Sequence, residues 1–226
     1  MSSSKIWLLE QFDFWSVLKK DDIEYLDTHL VKKRIMKNEH LMLGENVDSI
    51  FFLKKGVMKI TTYHEEGREC TKYLLKRGSI FGELPFSITS GNDDYAVALE
   101  DSVICYLHEN EFNRILEKNH ALNNEINKMM GSKMIRLHRR IESIVFKDSK
   151  TRVQEFLNDL KNDYGQQDEN GNIVVKNFLT HKEIAGLTST SRQFVTKILS
   201  EMKMAGSIDY NKDYIIFPSC SAAEAD

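Results

Sequence analysis

The sequence predicts an α+β chain in three parts: a β-rich jelly roll, one long helix, and a small helical domain closed by a hairpin. Three observations carry that prediction. Gly44, Gly56, Gly67, Gly78, Gly82 and Gly91 punctuate short β-rich runs between Val31 and Leu107, the rhythm of antiparallel strands turning tight corners. From Glu109, some forty residues contain no proline and a single glycine, Gly131. Beyond Gly165 a helix, a break, a second helix and two short strands follow in close order. Composition sets the frame without naming a function. The 226 residues are 41% hydrophobic and 29% charged, with 11 Gly and 2 Pro, the balance of a soluble globular chain of one large or two modest domains. No apolar run approaches the ~18 residues of a membrane span and no signal segment opens the chain, so a cytosolic protein is expected. Net charge is −3, so nucleic-acid binding would need a local patch. Cys70, Cys105 and Cys220 stand far apart with no CxxC pair, as ordinary reduced thiols do.

Taken in order, Ser4 to Leu30 has apolar residues at helical spacing, with Phe12, Phe14, Trp15 and Leu18, then Ile23, Tyr25 and Leu26 behind acidic Asp21 and Asp22. One or two short helices are expected. Strands follow at Lys33–Met36, His40–Leu43, Ser49–Leu53, Val57–Tyr63, Cys70–Leu75, Tyr95–Glu100 and Ser102–Leu107. The proline-free stretch after Glu109 reads as one long helix. Ile126, Met130, Met134, Leu137, Ile141 and Ile144 step by three or four and put an apolar stripe along it. Lys128, Lys133, Arg136, Arg139, Arg140 and Lys147 make the other face basic. One small β domain cannot cover a stripe of that length, so the stripe is expected to meet a second copy of the chain. After Asp148 and Ser149 a further helix runs to about Tyr164, with Val153, Phe156, Leu157 and Leu160 inward, and a polar loop spans Gly165 to Asn172.

The C-terminal part carries the chemistry. Thr180-His181-Lys182-Glu183 is a capping box that starts a helix burying Ile184, Ala185 and Leu187. The chain breaks at Gly186 to Ser189 and restarts at Thr190 or Ser191. In the second helix Val195, Ile198, Leu199 and Met202 face inward, which leaves Arg192, Gln193, Thr196, Lys197 and Ser200 outward. Such a face suits the major groove, with Arg forking to guanine, Gln to adenine and Lys to guanine or phosphate. The hydroxyls of Thr188, Ser189, Thr190 and Ser191, with Thr180 and the helix start, suit backbone phosphates. Strands around Ile208 and Ile215, joined through Asn211-Lys212-Asp213, add a wing.

With those residues in view the whole chain resembles the CRP/FNR family of bacterial transcription regulators. The likeness lies in Ser49 to Lys59, in Arg77-Gly78 leading to Phe81-Gly82-Glu83-Leu84, in Ala98 to Ser102, and in Leu179 to Ala185 continuing through Thr190 to Leu199. The resemblance implies a cyclic-nucleotide-binding-type β jelly roll as sensor domain over residues 1–121, a dimerisation helix over 122–147, and a winged helix-turn-helix over 148–226. It further implies a homodimer on a palindromic promoter site, with RNA polymerase as a partner, and no catalysis. Gly82, Glu83, Leu84 and Tyr95 would mark an effector pocket; Glu83 reads as a ligand contact or as a turn residue, and Tyr95 as a pocket filler or a sheet cover. The family's cAMP-binding members follow their Gly-Glu pair with an arginine for the cyclic phosphate. Here Gly91-Asn92-Asp93-Asp94-Tyr95 has none and offers two carboxylates, so cAMP binding is not expected. No cysteine precedes Cys70, which excludes the family's N-terminal iron-sulfur ligand set, and the seven His form no evident haem or metal site. No cofactor is expected, and the effector is either an unidentified small molecule or absent. Two other classes fit less well: a cupin-like jelly-roll enzyme, disfavoured by the lack of an HxH pair, and a degenerate regulator that binds a protein partner without DNA, disfavoured by the intact Arg192, Gln193 and Lys197 face.

Overall fold

A computed structural model of the chain describes residues 13–43, 49–65, 69–82 and 94–219. The chain divides into two compact units, residues 1–137 and 138–226.

In the first unit a 3-10 turn, Asp13–Val17, precedes α1 (Lys20–His29). Among the described residues eight strands then form two four-stranded sheets: β1 (Val31–Ile35), β2 (His40–Met42), β3 (Ser49–Lys55), β4 (Met58–Tyr63), β5 (Glu69–Leu75), β6 (Ile80–Gly82), β7 (Asp94–Ala98) and β8 (Ser102–His108). One sheet runs β1-β8-β3-β6 and the other β2-β7-β4-β5, with every described pairing antiparallel. Side-chain alternation gives the first sheet two buried faces. Phe51, Leu53, Phe81 and Ile104 point toward the second sheet's Leu41, Met58, Ile60, Leu75, Ala96 and Ala98. Ile50, Phe52, Ile80, Cys105 and Leu107 point the other way, onto Phe14, Leu26 and Leu30 and onto the helices that follow β8. Strand β6 was missed by the sequence reading because three residues are too few to show an alternation. Gly82 ends it at φ +92°, where an added Cβ would lie 2.5 Å from the Ser49 carbonyl oxygen.

The single long helix expected after Glu109 is two, α2 (Glu109–Lys118) and α3 (His120–Phe146). Asn119 makes the break. Its Oδ1 accepts from the Leu122 amide at 3.1 Å, starting α3, while its Nδ2 donates to the Val17 carbonyl at 2.9 Å and to the Asp22 carboxylate at 2.7 Å. Phe112, Ile115, Leu116, Leu122 and Ile126 join the core under the first sheet. The Lys133 ammonium donates to the Ile80 carbonyl at 3.0 Å, and burial beside Arg136 pulls its pKa down. Gly131 stands mid-helix, where a Cβ would meet nothing within 4 Å.

The second unit holds the end of α3, then α4 (Ser149–Tyr164), β9 (Gln166–Gln167), β10 (Ile173–Lys176), α5 (His181–Thr188), α6 (Arg192–Met204), β11 (Asp209–Tyr210) and β12 (Tyr214–Phe217). The four strands form one antiparallel sheet in the order β11-β12-β10-β9, twice the hairpin that the sequence suggested. Val153, Leu157, Leu160, Val175, Ile184, Val195, Ile198, Leu199, Ile208 and Ile215 are buried in this unit. No helix among the described residues is long and apolar enough to cross a membrane.

Candidate nucleic-acid interface

Helix α5 opens on a complete capping box: the Glu183 amide donates to the Thr180 hydroxyl, and the Thr180 amide and hydroxyl both donate to the Glu183 carboxylate. The helix ends at Ser189, whose left-handed backbone (φ 53°, ψ 51°) turns the chain. Ser191 caps α6 by accepting from the Phe194 amide at 3.1 Å. From that cap Val195, Ile198 and Leu199 are buried, Phe194 and Met202 are half-buried, and Arg192, Gln193, Thr196 and Lys197 are exposed on the first two turns. Among the described residues the side chains of Arg192 and Gln193 take part in no hydrogen bond or ion pair, while the Lys197 side chain has a loose pairing with Glu201 at 3.8 Å. These head groups sit at the positive end of the helix dipole, where anions are favoured.

The four hydroxyls before α6 do not act alike. Thr188 is 5% exposed and its hydroxyl donates to the Ile184 carbonyl at 2.8 Å, which withdraws it from the phosphate set expected from sequence. Ser189 and Ser191 are exposed and Thr190 is half-buried. Thr196 is exposed, but its hydroxyl donates to the Arg192 carbonyl and meets His181 Nδ1 at 2.8 Å. His181, which the sequence reading passed over as the first residue of a capped helix, also sets its ring edge-on to Tyr210 at 6.1 Å. Burial and the nearby Arg192 charge lower its pKa. The wing turn is held by the Asn211 side chain, which accepts from the Asp213 and Tyr214 amides and leaves Lys212 exposed.

The apolar stripe of α3 changes partner along its length. Ile126, expected in a seam between copies, is 1% exposed in its own domain's core, and Met130 packs partly against that core. Periodicity could not separate these faces, because both are apolar and adjacent on one helix. Met134, Leu137, Ile141 and Ile144 remain 60%, 58%, 52% and 44% exposed. The basic face is largely spent within the chain, Lys128 on Glu125, Lys133 on Ile80, Arg140 on Gly186 and Lys147 on Glu155.

Of the four pocket residues, Gly82 and Tyr95 are among the described residues. Gly82 lies in the first sheet, and its glycine identity follows from the approach of β3. Tyr95 lies in the second sheet, with its neighbour Ala96 turned to the core, so its ring stands on the opposite face against His40 and Tyr63 at 6.2 and 5.4 Å. Glu83, Leu84 and Asp93 fall outside the described residues. Asp94 accepts from the Lys72 ammonium at 2.7 and 2.8 Å, so its charge is countered rather than open as the sequence suggested. Cys70 is exposed, Cys105 is buried, and Cys220 is outside the described residues.

Residues 33–119 match the cyclic nucleotide-binding domain family and residues 151–222 the Crp-like helix-turn-helix domain family. The chain belongs to the CRP/FNR family of transcription regulators. Similar members of that family include the global nitrogen regulator of Nostoc sp., 27% identical over 176 residues, covering 76% of this chain and 78% of the relative. The cAMP-activated global transcriptional regulator Vfr of Pseudomonas aeruginosa is 22% identical over 205 residues, covering 88% and 95%. A solved structure of a CooA mutant from Carboxydothermus hydrogenoformans has the same fold, with a TM-score of 0.71 at 22% identity over 96% of each chain. CRP/FNR regulators bind DNA through the helix-turn-helix domain, typically as homodimers on palindromic sites, and the relatives are regulators, not enzymes.

Proposed function

We propose that this regulator reads a two-fold palindrome through α6, with Arg192, Gln193 and Lys197 as the base-facing set. The observation that carries this reading is the split of α6 itself: three apolar side chains buried, and the Arg, Gln and Lys head groups exposed on the two turns after a serine cap. Arg192 forks to O6 and N7 of a guanine, Gln193 to N6 and N7 of an adenine, and Lys197 adds charge with weaker base choice. Thr180, Ser189, Thr190 and Ser191 lie near the backbone phosphates, with Ser191 keeping its hydroxyl proton to donate. Two copies pair through Met134, Leu137, Ile141 and Ile144, which places half-sites about one helical turn apart. The protein acts in the cytoplasm, with RNA polymerase as its partner.

Selection from a random duplex library tests this. A palindrome with a guanine in each half-site should be enriched. Arg192→Ala should cost about 1–3 kcal/mol on it and relax that one base. Equal weakening on all sequences would demote Arg192 to a phosphate contact, and no enriched palindrome would refute the reading of α6.

A further inference from the structure

The turn that aims α6 is poorly suited to hold itself. Ser189 occupies the left-handed region, which a non-glycine residue adopts at a cost, and the last carbonyls of α5 have no amide of their own helix to accept from. The last of them, on Thr188, and the carbonyl of Ser189 converge on one side chain. Arg152, half-buried in α4, donates from Nε to the Thr188 carbonyl at 2.9 Å and from Nη2 to the Ser189 carbonyl at 3.0 Å. The same guanidinium donates from Nη1 to the Lys147 carbonyl at 2.7 Å and from Nη2 to the Ser149 hydroxyl at 3.1 Å. One planar group therefore joins the end of α3, the start of α4 and the turn between α5 and α6. A second guanidinium supports it from α3, where Arg140 donates to the Gly186 carbonyl at 3.3 Å.

We propose that Arg152 is the positioning residue of DNA reading: it fixes the angle at which α6 presents Arg192, Gln193 and Lys197, and it does so without touching DNA. This rests on the function proposed above. Four of the five N–H groups of a guanidinium are committed here to oxygens of the chain itself, which leaves little to offer a phosphate. The position also runs against the helix dipole, which disfavours a cation near the start of α4, so the carbonyl partners are what hold the charge there. Lysine has the charge but no planar fork, and could satisfy only part of the set.

The test uses the full-length dimer, with Arg152→Gln and Arg152→Lys titrated onto the palindrome selected by the wild type and onto random duplex, at several salt concentrations. Binding is read at a temperature where circular dichroism shows each variant folded; if the glutamine variant does not fold, the lysine variant carries the test. Arg152→Gln should lose at least about tenfold on the palindrome and no more than about twofold on random duplex. The slope of log affinity against log salt should stay unchanged, because no phosphate partner is lost. Arg152→Lys should regain less than half of the logarithmic loss. A uniform loss on both duplexes, with the slope reduced by about one, would make Arg152 a phosphate contact and overturn the proposal. Unchanged discrimination in folded variants would also overturn it, leaving only a structural brace. A wild type with no palindrome preference would refute the DNA-reading function itself, and would be seen before any variant is measured.

Discussion

Thr188, Ser189, Thr190 and Ser191 are four hydroxyl residues in a row with four separate fates. The first bonds back to Ile184, the second carries the left-handed turn, the third sends its amide to the Ala185 carbonyl, and the fourth caps α6. Their types marked the turn in the sequence, but the phase at which α5 stops decides which hydroxyl is buried, and composition does not encode that phase. Ser189→Gly should therefore stabilise the protein by about 0.5–1 kcal/mol, because glycine adopts this backbone freely, and denaturant titration will read the shift. His181 was invisible for a different reason: its neighbours Thr196 and Tyr210 lie 15 and 29 residues on and meet it only in the fold. Burial first and the Arg192 charge second lower its pKa below the ordinary 6.5. The unfolded chain then takes up a proton at a higher pH than the folded one, so this contribution to stability is present above about pH 6.5 and is lost as pH falls through the folded value. Thermal unfolding of the wild type should weaken on acidification through that window more than that of His181→Gln. Equal pH dependence in the two proteins would remove His181 from the account.

Among the elements, the longer strands of the roll and the helices α5 and α6 were legible because alternation and capping are local signals, whereas the short β6, β9 and the outlying β10 were not. Nor was the boundary between α2 and α3. Asn119 is an ordinary polar residue in the sequence, and only its reach to Val17 and Asp22, 102 and 97 residues away, makes it a helix break. Asn119→Ala removes a cap and leaves the buried Asp22 carboxylate short of a donor, and should cost about 2–3 kcal/mol in chemical unfolding. The apolar stripe of α3 was read correctly as a stripe, but its first members are already covered by the sheet domain. A seam between copies is thus expected to begin at Met134. Leu137→Glu places an unpaired charge there and should give monomers in sedimentation, together with loss of palindrome binding. A variant that stays dimeric would move the seam elsewhere.

At the scale of the molecule, a net charge of −3 says little about a protein whose proposed nucleic-acid face is one short helix. Order and spacing of motifs along the chain carried the family, whereas an effector site would rest on a few side chains of the roll. Residues 83–100 contain no arginine or lysine to take a cyclic phosphate, so calorimetry with cAMP should show no micromolar, saturable heat. Such a heat would mean that another part of the roll supplies the cation. Gly131 bears on how the molecule comes together. It forgoes about 0.8–1 kcal/mol of helix propensity relative to alanine, at the point where α3 leaves the sheet domain's core. Beyond it the helix carries apolar side chains that water surrounds in an isolated chain, and a segment of that length is marginal as a helix alone. With two chains paired through the proposed seam, folding of residues 132–138 is expected to accompany assembly. A protease would cut there in dilute protein and be shut out as concentration rises, so that cleavage rate becomes a gauge of assembly.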